Sequence, residues 1–238
     1  MRAEGQEEPL VGGCETPGVV RVGRTVRRPL GPRAAFVHAV LRHLEAVGFE
    51  GAPRLLGVDE RGREILTFIS GEVGHAEDAP PVSEARLKSA AVLMRRLHDL
   101  TAGTPLALGG EVVAHHDLGP HNTVFAGDAA VAFIDWDGAA PGSRRFDLAT
   151  AIWSFVPVGE GNGPIALQAR RLRLMCDAYG WQDTNAVVDE IAAELARALS
   201  NHESARREHA ADIFRAMLGW MTRHADALKA NAAQEASG

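Results

Sequence analysis

Asp117, Asn122, Asp135 and Asp137 carry groups whose chemistry fits together. Carboxylate and amide oxygens are the hard donors that a small divalent cation takes. A carboxylate beside a hydroxyl can also orient it and accept its proton. Moving a phosphoryl group between oxygens needs both: one group at the attacking hydroxyl, and others to hold a cation against phosphate charge. His115, His116 and His121 crowd the same stretch and, with Asp117, could instead ligate a transition metal. The pairs His98-Asp99 and His116-Asp117 would suit a helical metal phosphohydrolase. Any one Asp or Asn in a loop more often closes a turn through its own backbone. It is the set, at these spacings, that points to chemistry.

The elements around the set favour the oxygen-ligand reading. The text is AHHDLGPHNTVF, a turn, then FIDWDG. Residues 111–114 read as a short strand. Asn122–Phe125 and Val131–Ile134 read as a hairpin around Ala126-Gly127-Asp128. A strand end is a rigid support for Asp135. Asp137 stands two places further on, on the same side if the chain is extended, and can join a metal shell directly or through water. The order His115-x-Asp117-x-x-x-x-Asn122 is the spacing of a kinase catalytic loop. On this reading Asp117 serves the acceptor hydroxyl, and Asn122 and Asp135 hold Mg²⁺. His115 is a buried organiser of the loop, His116 and His121 are exposed, and His98 packs beneath the loop from a helix end.

HHDLGPHNTVF resembles the H-G-D-x-x-P-x-N signature of the aminoglycoside phosphotransferase and choline kinase-like family, with Pro120 in the family's proline place. FIDWDGAAPGSRRFDLA resembles its I-D-W/F-E/D run followed by a P-x-x-D-L-A segment ending in Asp147-Leu148-Ala149, and Leu97-His98 is similar to its L-H pair. The likeness runs in order over about residues 18–155. VVRVGRTVRRP and HAVLRHLEAVGFEGAPRLLG look like the trifolitoxin-immunity-like branch. The resemblance implies an α+β, protein-kinase-like fold with a reduced N-terminal sheet lobe and a larger helical C-terminal lobe. It also implies Asp117 as the general base, Asn122 and Asp135 as metal ligands, Mg²⁺, ATP or GTP as phosphoryl donor, and a small-molecule hydroxyl as acceptor. The immunity-like branch keeps a second reading open, a binding protein with little or no turnover.

The expected N-lobe covers residues 1–71, with 1–17 flexible, and the C-lobe 72–238. In the N-lobe, Val19–Val22 and Thr25–Arg28 form a hairpin around Gly23-Arg24, residues 33–47 a helix stopped by Gly48, and 54–58 and 63–69 a strand pair. Phosphate-covering glycines are limited to Gly12-Gly13 and Gly23. Arg27 is the strand-borne cation and can neutralise phosphate. The place where the family carries a helix Glu holds Val37 or His38. The segment Leu66–Ser70 resembles the hinge that meets the nucleotide base, with Thr67 and Ile69 offering backbone groups.

In the C-lobe, residues 74–82 are loop-like, and Ser83 caps a helix reaching about Leu100. Further helices are expected near 147–156, 164–180, 184–200 and 203–230, with breaks at Pro157, Gly180 and Ser200-Asn201. Asp147 is expected to cap its helix, Arg144-Arg145 to be a solvated pair, and Trp153, Trp181 and Trp220 to be core. Asp177, Glu190, Glu203 and Asp212 lie where the resemblance puts the acceptor pocket, which would favour a polyamine-like substrate. The chain of 238 residues is 46% hydrophobic and carries a net charge of −6 with a pI of about 5.9. That balance is ordinary for a globular protein and poor for nucleic-acid binding. Cys14 and Cys176 have no metal-ligand spacing. With no signal-peptide pattern and no membrane-length apolar run, the expectation is a cytoplasmic protein whose partners are a nucleotide and a small molecule.

Overall fold

The computed structural model describes residues 6–10, 18–74 and 82–234. Gly12-Gly13, Cys14 and most of the 74–82 loop lie outside them. The first sheet is antiparallel, in the order β1-β2-β3-β5-β4, from β1 (Glu8–Pro9), β2 (Val20–Val22), β3 (Thr25–Pro29), β4 (Leu55–Val58) and β5 (Arg63–Thr67). Gly23 opens the two-residue turn between β2 and β3 with φ 60°, a conformation that needs no Cβ. β1 was not foreseen. It pairs Glu8 with Arg21 inside the stretch expected to be flexible. Helix α1 (Ala34–Ala46) buries Val37, Val40, Leu41 and Leu44, the helical spacing read from the sequence.

After the hinge, β6 (Glu72–Val73) pairs with β8 (Thr123–Ala126), which pairs with β9 (Ala129–Phe133). Helix α2 (Glu84–Thr101) lies between β6 and β7 (Val112–Ala114) in the chain, and Ser83 Oγ accepts the Arg86 N–H as its cap. β7 pairs with β10 (Ala140–Gly142), another strand the sequence did not reveal because Pro141 and Gly142 are poor strand formers. The remainder is helical: α3 (Arg144–Phe155), α4 (Ile165–Tyr179), α5 (Thr184–Ser204) and α6 (Glu208–Gln234). The expected break at Ser200-Asn201 is absent. Both residues are only mildly unfavourable in a helix, and the chain turns instead at Ala205–Arg207, where Arg206 takes φ 55°. A sheet-bearing N-terminal region and a helical C-terminal region, as expected, share one core that includes Leu41, Leu97, Phe133, Leu148 and Leu172.

Candidate active site

Asp117 follows β7, and its loop is fixed from below by one buried carboxylate. Asp147, on the first turns of α3, has no exposed surface. It accepts the backbone N–H of His115 (3.0 Å) and of His116 (2.7 Å), and Nε2 of His98 lies 3.0 Å away. Burial alone would push this carboxyl up, but the bonds from His98 and the His115 N–H outweigh that and hold it below the usual carboxylate range. Asp147 is therefore not the helix cap: Ser143 is, accepting the Phe146 N–H. His98 Nδ1 meets the Tyr179 hydroxyl at 2.6 Å, which anchors α2 to α4 under the same loop, as its place beneath the loop foretold. Arg144, expected at the surface, is mostly covered and pairs with Asp99 at 2.8 Å.

The three histidines diverge. His115 is fully buried, tilted against Trp136, with Nε2 3.1 Å from the Ile134 carbonyl. His116 is half-buried rather than exposed. It adopts φ 67°, and its Nδ1 lies 3.1 Å from the Gly138 carbonyl. Only His121 faces Asp117, with Nε2 to Oδ1 at 3.5 Å. Among the described residues no three His, Cys, Asp or Glu side chains are grouped to hold a metal, and the geometry offers no imidazole cluster. Burial lowers the His115 pKa, against weaker raising effects of Asp147 and Asp117. The unfolded chain therefore binds more protons than the native one just below pH ~6.5, the unperturbed His value, and stability falls with falling pH from there down to the native pKa. Urea denaturation from pH 8 to 5 should show this slope, and it should flatten in His115→Gln.

Above the loop, Asn122 Nδ2 donates to both the carbonyl and the Oδ2 of Asp117, each at 2.8 Å. This leaves the amide oxygen without a hydrogen bond among the described residues. Burial raises the Asp117 pKa, but His121, His115 and Asn122 together hold it below the usual value, so the group is ionised. The Ile134 N–H bonds the Asn122 carbonyl at 2.9 Å and so ties Asn122 to the strand end that carries Asp135. Asp135 takes a left-handed conformation, φ 59°, and Trp136–Gly138 form a 3₁₀ turn. The chain there is not extended, yet Asp135 and Asp137 still converge, because one guanidinium binds both.

That guanidinium belongs to Arg28, not Arg27. Arg28 Nη1 meets Asp135 Oδ1 at 3.0 Å, and Nη2 bonds Asp137. Its Nε faces Glu64 Oε1 at 3.2 Å, and the other Glu64 oxygen takes His38 Nε2 at 2.8 Å. Arg28 and Glu64 are direct cross-strand partners on β3 and β5, and both are buried. Arg27, on the other face of β3, bonds Thr25 and lies 3.9 Å from Asp59. The acid that completes the cation's clamp thus comes from a neighbouring strand, with the helix supplying His38. A charged residue in phase with the buried Leu66 along β5 was the available signal for Glu64. In the hinge, the N–H and hydroxyl of Thr67 are both taken by Arg54, whereas Ile69 makes no backbone hydrogen bond with the described residues.

The sequence profile of the Phosphotransferase enzyme family matches residues 105–184, which span Asp117, Asn122, Asp135 and Asp147. A trifolitoxin immunity protein from Rhizobium leguminosarum bv. trifolii is 38% identical over 194 residues, covering 72% of this chain and 73% of that protein. The chain belongs to the phosphotransferase enzyme family. Solved structures at lower identity share the fold of this phosphotransferase-family chain. The GDP complex of aminoglycoside 2'-phosphotransferase-IIIa superposes with a TM-score of 0.62 at 14% identity, covering 97% of this chain and 94% of that one. The spectinomycin phosphotransferase APH(9)-Ia with ADP and spectinomycin gives 0.56 at 13%, covering 94% and 92%. The Streptomyces rimosus enzyme APH(3'')-Id with ADP and streptomycin gives 0.58 at 14%, covering 80% and 94%.

Proposed function

We propose that this protein transfers the γ-phosphoryl group of a nucleoside triphosphate, ATP or GTP, to a hydroxyl of a small molecule. The observation that carries the reading is Arg28 bound to both Asp135 and Asp137, next to an ionised, largely exposed Asp117 held by Asn122, whose carbonyl accepts the N–H of Ile134 beside Asp135. Two carboxylates and a free amide oxygen form a donor set that fits Mg²⁺. Bound there, Mg²⁺ would supply charge neutralisation on the phosphates. Asp117 orients the acceptor O–H and takes its proton as the acceptor oxygen bonds the γ-phosphorus. The bond from that phosphorus to the bridging oxygen breaks, and the nucleoside diphosphate leaves. Asn122 holds the carboxylate from behind. Arg28 is the side chain placed to contact phosphate, steadied by Glu64 and His38. Ile69 is the hinge residue with free backbone groups for the base. The N-lobe is 1–71 and the C-lobe 72–238.

The test is a melting-temperature rise with nucleotide and Mg²⁺, followed by γ-phosphate transfer to a panel of alcohols. Arg28→Ala should weaken Mg²⁺–nucleotide binding by about 10- to 100-fold, the scale of hydrogen bonds to a charged group, and Arg27→Ala should leave it within about twofold. The reverse ranking would place the phosphate contact on Arg27.

The name of the relative is compatible with a second reading, toxin immunity, which could act by capture or by turnover. If Asp117→Asn protects toxin-exposed cells as well as the parent protein does, capture is the mechanism. If protection is lost while folding and ligand binding persist, catalysis is.

A further inference from the structure

We propose that the acceptor is an uncharged alcohol with an aromatic or branched aliphatic body, and not a polycationic aminosugar. The proposal rests on the phosphotransfer reading for what happens at the hydroxyl. Its own observation is a cavity of about 250 Å³ lined by Trp153, Ser154, Pro157, Val158, Asn162 and Met217. These residues come from the end of α3, the segment after it, and α6. Phe214 packs on Trp153 with ring centroids 5.8 Å apart and so extends the apolar wall.

The cavity borders the Asp117 loop. A Cβ built on Gly119 would stand 2.1 Å from Ser154 Oγ and 2.6 Å from the His121 ring, so the loop rests directly against the cavity's polar edge. His121 in turn faces Asp117. A ligand seated against Trp153 and Met217 would therefore present its end near Ser154, against the loop that carries Asp117. Ser154 Oγ, Asn162 and the Trp153 indole N–H make no hydrogen bond with the described residues. They are the few polar groups that orient a ligand in an otherwise apolar site.

The charge pattern of the lining favours the uncharged class. No acid lines this cavity. The four acids singled out in the sequence are each paired with an arginine: Asp177 with Arg173, Glu190 with Arg145 and Arg197, and Glu203 and Asp212 with Arg215. Several ammonium groups seated against this lining would lose water and gain no counter-charge from it, which is unfavourable. Glu203 and Asp212 line a separate cavity of about 370 Å³, together with Glu208 and the arginines Arg206, Arg207 and Arg215, so they contribute no charge to the lining of this one.

The experiment compares N-acetylphenylalaninol, 2-phenylethanol and 3-methylbutanol with kanamycin as acceptors, for the parent protein and Met217→Glu. The expected result is kcat/KM at least about 10-fold higher for the alcohols, the scale on which an apolar pocket discriminates. In Met217→Glu it should fall at least about 10-fold, because a carboxylate has been built against the apolar body. Nucleotide-induced melting shifts should be unchanged and report that the variant is folded. Transfer to kanamycin at equal or greater kcat/KM, insensitive to the substitution, would overturn the inference and leave phosphotransfer standing. Absence of transfer to any acceptor, with the alcohols still raising the melting temperature of the parent but not of Met217→Glu, would support the ligand class and overturn the phosphotransfer reading. Absence of both transfer and alcohol-induced shifts would overturn both.

Discussion

Asp117→Asn should lower kcat by about 10²- to 10⁴-fold, the usual contribution of a positioned base, while Mg²⁺–nucleotide affinity stays as in the parent protein. The reason is local. Asparagine keeps the shape, and its carbonyl oxygen can still accept from Asn122 Nδ2, which lies 2.8 Å from Asp117 Oδ2. What it loses is the negative charge that orients and then takes the acceptor proton. His121, 3.5 Å away on the other oxygen, carries no negative charge to replace it. Single-turnover transfer, with nucleotide affinity measured separately, checks the split. A variant that transferred phosphate at the parent rate would remove Asp117 from the base's role.

Asp147→Ala is the second large effect, and it falls on stability. Removing this carboxylate strips an acceptor from the His115 and His116 N–H groups and the partner from His98, all in a region that water does not reach. Breaking a buried, multiply bonded charge of this kind costs about 3–5 kcal/mol. That is a large fraction of the total stability of a typical domain. Urea unfolding should show the loss directly, and Asp147→Asn, which keeps one acceptor oxygen, should lose less. An alanine variant within about 1 kcal/mol of the parent would mean the loop is held by other contacts, since surface changes away from such networks lie in that range.

The site was legible in the sequence to different depths. Asp117, Asn122, Asp135 and Asp137 are close in the chain, so their spacing alone marked them as a set, although Asp135 and Asp137 converge through a left-handed residue and a tight turn rather than an extended chain. Arg27 was named and Arg28 passed over; adjacent strand residues point to opposite faces, and nothing local says which face meets Asp135 and Asp137. Glu64 was missed because its partnership with Arg28 depends on the register of two strands separated by a helix. Asp147 looked like a cap because the residues it binds, at 98, 115 and 116, are remote in the chain. The strands β2 to β5 and the helices announced themselves by alternation and period. The two-residue strands β1 and β6 and the Pro-Gly strand β10 exist only through their partners.

The double grip of Arg28 on Asp135 and Asp137 sets an order of arrival. A divalent cation coming alone must evict a guanidinium from both carboxylates and leave it buried beside Glu64 with nothing new to bind. A cation that comes already wrapped in a triphosphate brings the anion to which Arg28 can move. On the proposed function, metal and nucleotide would be coupled partners, each raising the other's affinity by the same factor. If the proposed phosphotransfer holds, the protein should bind magnesium poorly by itself and well as the nucleotide complex, because Arg28 neutralises both carboxylates until a phosphate draws it away.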